Sequence, residues 1–92
     1  MTGFTSEQKT AIAKALTYKT GWMTDEVKTN ISKLLECEKL DMDDTNRITG
    51  LVFDLIYTRD KSTGRFKHSW LEMGRKSSEL YKLLRKYPKF IV

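Results

Sequence analysis

ITGLVFDLIYTRDKSTGRFKHSW, residues 48–70, is the stretch on which the fold turns. Its first nine residues place Ile48, Leu51, Val52, Leu55 and Ile56 at i, i+3, i+4, i+7 and i+8, the spacing that gathers apolar side chains on one face of an α-helix. Phe53 and Tyr57 fall on the other side of the same helix, so it needs cover on two sides. It is either the centre of a bundle or a surface through which two copies pair. A rival reading takes residues 51–70 as a β-hairpin: Phe53, Leu55 and Tyr57 alternate, Phe66, His68 and Trp70 alternate, and Gly64 sits in a loop of suitable length. The helical reading gives an all-α, compact four-helix single domain over residues 1–92. The rival gives an α+β domain with a hairpin spanning about 51–70. The first is the expectation adopted.

Working upstream, the same logic marks two more helices. Thr5 with Gln8 three positions on is a capping-box pattern, and Ala11, Ile12, Ala15 and Leu16 follow at helical spacing, with Gly21 suited to a left-handed end. Thr24 is the next N-cap, backed by Asp25 and Glu26 near the positive end of the helix dipole, and Val27, Ile31, Leu34 and Leu35 mark the buried face. Asp41, Asp43, Asp44 and Thr45 then break the periodicity and cap the third helix. Downstream, Phe66, Trp70, Met73, Ser77, Leu80, Tyr81 and Leu84 keep helical phase until Pro88, which predicts a last helix from Arg65 to Tyr87 that hides its aromatic residues. Lys89, Phe90, Ile91 and Val92 form an apolar end expected to pack back on the core. Short connections favour antiparallel neighbours.

Composition limits the function. Hydrophobic residues at 39% and charged residues at 32% are the proportions of a chain that folds. No run approaches the roughly 20 apolar residues of a membrane span, and Met1 to Thr10 lacks the pattern of a secretory signal, so a cytoplasmic location is expected. Cys37 is the only cysteine and His68 the only histidine, which leaves no intramolecular disulfide and no multi-cysteine or multi-histidine metal site. Asp41, Asp43 and Thr45 imitate the start of a calcium loop, but its sixth position is Asn46 rather than Gly and its twelfth is Val52 rather than Glu. Glycine-rich phosphate loops and nucleophile elbows are missing as well. The expectation is a protein that is not an enzyme and uses no cofactor, with no catalytic or metal-binding residues.

Charge is segregated. Met1 to Thr58 holds 7 Lys/Arg against 9 Asp/Glu, whereas Arg59 to Val92 holds 10 against 3, a balance of +7 within a net +5. On the predicted last helix Lys67, Arg75, Lys82, Arg85 and Lys86, with His68 nearby, fall opposite the apolar stripe, and Leu71 and Leu83 project from the same arc. Such an arc suits a phosphate backbone, through counterion release, or an acidic protein surface that also takes the leucines. A helix-turn-helix pivoting on Gly74 fits poorly, because Trp70 stands where a small residue is usual and Arg75 where an apolar one is. The sequence therefore points to a small basic regulator that docks its last helix on nucleic acid. The alternative is a protein-binding inhibitor or adaptor of the kind phages and mobile elements carry. Homodimerisation through the third helix is compatible with both.

Overall fold

The computed structural model of the protein describes residues 3–87. Four helices follow one another: α1 (Ser6–Ala15), α2 (Asp25–Leu35), α3 (Met42–Ile56) and α4 (Trp70–Arg85). Each begins at a side chain that satisfies the orphan backbone N–H groups of a first turn. Thr5 and Gln8 close a reciprocal capping box, Thr24 accepts from the Val27 N–H, Asp41 from those of Asp43 and Asp44, and Ser69 from that of Glu72. A cap of this kind is worth about 1 kcal/mol.

α3 is the centre, as its two-sided apolar character requires. Ile48, Leu51, Val52 and Leu55 are wholly buried, each stabilising the fold by about 1.5–3 kcal/mol. α4 covers one flank of α3 and α1 the other, while α2 leans on α4. Phe53 and Tyr57 are half-buried against the core, and Tyr18 packs edge-on against Tyr57 at 5.8 Å. One apolar cluster, running from Phe4 to Leu84, joins all four helices. The Cα radius of gyration of 12.9 Å matches the ~13 Å of a folded chain of about 100 residues.

The α3–α4 seam is antiparallel, and its polar edge fixes the register. Lys86 donates to Asp44 at 2.7 Å, Arg47 clasps Glu79 with two hydrogen bonds, and Lys76 lies 3.0 Å from Asp54. Such pairs contribute little individually. Their value is positional, since sliding the helices by one turn would mismatch all three.

The sequence reading and the structure part company at two helix ends. α1 stops at Ala15 with Leu16 as its C-cap, and Gly21 lies in a turn with no positive φ. α4 begins at Trp70 rather than Arg65, because Ser69 caps it and the preceding residues fold into a separate connector. There the hairpin alternative survives only as a single antiparallel bridge between Arg59 and Phe66, with no strand among the described residues. Helix α4 runs unbroken through Gly74, which removes the helix-turn-helix. A Cβ on Gly74 would meet nothing within 4 Å, so the glycine serves no close packing. The expected roles of Pro88 and of Lys89 to Val92 lie outside the described residues.

Candidate functional site

Exposed aromatic rings define the most unusual surface of the molecule. Trp70 is 82% exposed and Phe66 63% exposed, although the helical phase of the sequence assigns both to a buried stripe. Rotation of α4 explains the difference. The helix seats Met73, Leu80 and Leu84 in the core and turns Leu83 partly into it, so the buried sector is shifted away from Trp70 and Tyr81. Phe66 escapes the stripe because it belongs to the connector and not to the helix.

The connector, residues 57–69, closes its turn with its own hydrogen bonds. Asp60 N–H donates to the Arg65 carbonyl at 2.7 Å, Gly64 N–H to the Asp60 carbonyl at 2.8 Å, and Lys67 N–H to the Thr58 carbonyl at 2.9 Å. One carboxylate oxygen of Asp60 accepts from the N–H groups of Ser62 and Thr63, and these two bonds hold its pKa below the usual aspartate value. Gly64 takes φ +70°, a left-handed conformation that costs other residues about 1–2 kcal/mol. The Arg59 guanidinium donates to the Gly64 carbonyl and stacks over the Phe66 ring, 4.2 Å from its centroid. Phe66 is thus held out in solvent with a cation on its face.

His68 anchors the far end of the connector. Its Nδ1 lies 3.0 Å from Glu72 and its Nε2 3.8 Å from Asp54, so the ring bridges α3 and α4. Between connector and helix a cleft of about 140 Å³ is lined by Trp22, Thr58, Phe66, His68, Trp70 and Met73. Trp22 reaches it from the α1–α2 loop, where the Thr20 hydroxyl donates to the Leu55 carbonyl at 2.6 Å and accepts from the Trp22 N–H. The Trp22 and Trp70 rings meet at 5.2 Å and 63°. Trp70 is also a wall of a shallow depression on α4, shared with Leu71, Gly74, Arg75, Ser78, Glu79 and Lys82. On the other side, Trp22 opens into a groove of about 650 Å³ between α2 and α4 that includes Val27, Tyr81, Leu84 and Arg85.

The residues expected to form one basic arc are divided by this geometry. Arg75, Lys82 and Leu71 share the α4 depression, with Leu71 66% exposed. Lys67 and His68 sit on the connector instead of the helix, and Leu83 packs against the core. Arg85 faces the α2 groove, with its guanidinium 5.9 Å from the Tyr81 ring centre. Lys86 is held by Asp44, which also accepts from the Tyr87 hydroxyl; these bonds, Lys86 first, lower the Asp44 pKa and raise that of Lys86.

Between Thr58 and Tyr87 every carboxylate is engaged: Asp60 in its own turn, Glu72 with His68, Glu79 with Arg47. Lys61, Arg65, Lys67, Arg75 and Lys82 make no ion pair among the described residues. The charges left there unengaged are all positive, and in the sequence they alternate with aromatic rings. Sequence reasoning assigned Phe66 and Trp70 to the buried stripe of the last helix, although Trp70 was also a candidate for stacking on exposed bases, and it did not single out Trp22. The run Arg65-Phe66-Lys67-His68-Ser69-Trp70, in which cations alternate with rings, carried the available signal. Among the described residues no three Cys, His, Asp or Glu side chains converge on a point that could hold a metal, and no helix is long and apolar enough to cross a membrane. Comparison with protein-family models, curated proteins and solved structures finds no match to the chain.

Proposed function

We propose that the protein is a non-enzymatic regulator that docks on nucleic acid through the connector and the outer face of α4. The supporting observation is the charge pattern: between Thr58 and Tyr87 seven Lys and Arg side chains make no ion pair among the described residues, while each of the three carboxylates there is already engaged. Polyanions gain from such a face by releasing condensed counterions, whereas the centres of protein interfaces are depleted in lysine.

The test is an anisotropy titration over a range of salt concentrations, comparing wild type with an Arg75→Glu/Lys82→Glu variant. Lys86 is left alone, because a glutamate there would confront Asp44. Binding should weaken steeply with salt, and the variant should flatten the slope of log K against log[salt] by about 1.5 to 2. Salt-independent binding, or none, overturns the reading. A second reading rests on Leu71, exposed beside Trp70: the same face could receive an acidic protein surface with an apolar anchor. In that case Leu71→Ala would abolish capture of the partner while nucleic acid fails to bind either form.

A further inference from the structure

Backbone charge alone does not account for the aromatic cleft. Three rings from three separate elements, Trp22, Phe66 and Trp70, converge on a space of about 140 Å³ whose other walls are Thr58, His68 and Met73. Two of the three are more exposed than buried. The fold holds two of them in place: Thr20 pins the Trp22 loop to the end of α3, and the bridge with Arg59 pins Phe66. Two rings held largely in water, Phe66 and Trp70, beside a half-buried third are matched to a flat, apolar-faced ligand. Arg75, on the next turn of α4, shares the adjoining depression with Trp70, a cation placed to meet an anionic group next to such a face.

Resting on the nucleic-acid reading above, we infer that the cleft takes an unstacked base of a single strand, with Phe66 and Trp70 as its stacking partners. A duplex cannot satisfy this site, since its base faces are hidden within the stack and a side chain reaches only their edges. A single strand offers a π-face at every base, and stacking tolerates any sequence because all four bases have one. The phosphate next to the inserted base would run past Arg75. The α4 depression extends the track to Lys82, seven residues or about 10 Å further along the helix.

Trp22 and Trp70 are the only tryptophans in the chain, and both line the cleft. Intrinsic fluorescence therefore reports on this site directly. The experiment titrates the full chain with oligonucleotides of about 15 nucleotides, single-stranded homopolymers against a duplex of equal length, at about 50 mM salt. Emission and anisotropy are followed together. Single strands should bind tighter than duplex and quench the tryptophans, and Phe66→Ala should weaken single-strand binding about 5- to 100-fold, the loss of one base–aromatic stack, with little effect on duplex.

Equal affinity for both forms with unquenched tryptophans overturns the single-strand inference and leaves the basic-face reading standing. No binding to either form, with quenching by an acidic peptide that carries an aromatic residue, overturns both. The wild-type quenching measurement decides the matter even if Phe66→Ala proves unstable.

Discussion

Three leucines of α4 test the orientation of that helix, on which the exposed surface depends. Leu80 is 1% exposed, Leu83 is half-buried against the core and Leu71 is 66% exposed. Truncating Leu80 to alanine removes fully buried carbons and leaves a cavity, which costs about 2–5 kcal/mol. Leu71 has about a third of its surface covered, and full burial of a leucine is worth about 1.5–3 kcal/mol. Its truncation should thus cost about 0.5–1 kcal/mol, less a few tenths regained because alanine is the better helix former. Leu83→Ala should fall between, at about 1–2 kcal/mol. Urea denaturation followed by far-ultraviolet circular dichroism gives these values from the shifts in midpoint at constant m. In a domain of this size each kcal/mol moves Tm by about 4–8 °C. The order Leu80, Leu83, Leu71 is the outcome the structure requires. A Leu71→Ala variant as damaged as Leu80→Ala would mean that α4 is turned the other way, and the aromatic cleft would not exist as described.

Two further outcomes concern stability alone. Asp44 and Glu79 have pKa values lowered by their hydrogen bonds, to Lys86 and Tyr87 in the first case and to Arg47 in the second. A carboxylate depressed in the folded state stabilises fully above its ordinary value of about 4 and loses that contribution as pH falls through the folded value. Wild type should therefore be more stable than Asp44→Asn at neutral pH, with the gap closing below about pH 4; a gap constant over that range refutes the assignment. Opposite signs are expected at two glycines. Gly64→Ala should destabilise by about 1 kcal/mol through its left-handed φ, and Gly74→Ala should stabilise by a similar amount, as a helix-interior position with open space for the methyl group. Thermal melts of the two variants, shifted in the same direction, would contradict this.

Helix starts were legible in the sequence wherever a cap broke an apolar pattern, as at Thr5, Thr24 and Asp41. Ser69 followed by Glu72 carries the same signature. It was masked because Phe66 and Trp70 keep phase with Met73, so the periodicity ran straight across a true boundary. Amphipathic spacing identifies a buried sector only to within the width of a neighbouring helix, and here the core takes Leu83 rather than Tyr81. Ion pairing was likewise invisible: nothing in the order of residues announces that Asp44 captures Lys86 while Arg75 and Lys82 stay unclaimed. The excess of positive charge in the last third was readable, but its division between connector and helix required coordinates.

The connector's self-contained turn makes it replaceable. Because Asp60, Gly64 and Arg65 close the loop without calling on the core, the residues at its tip, Lys61 to Thr63, are open to variation that leaves the four helices undisturbed. Selection, or an engineer, has there a place to change side chains at little cost to folding, much as a tool keeps its handle while its bit is exchanged.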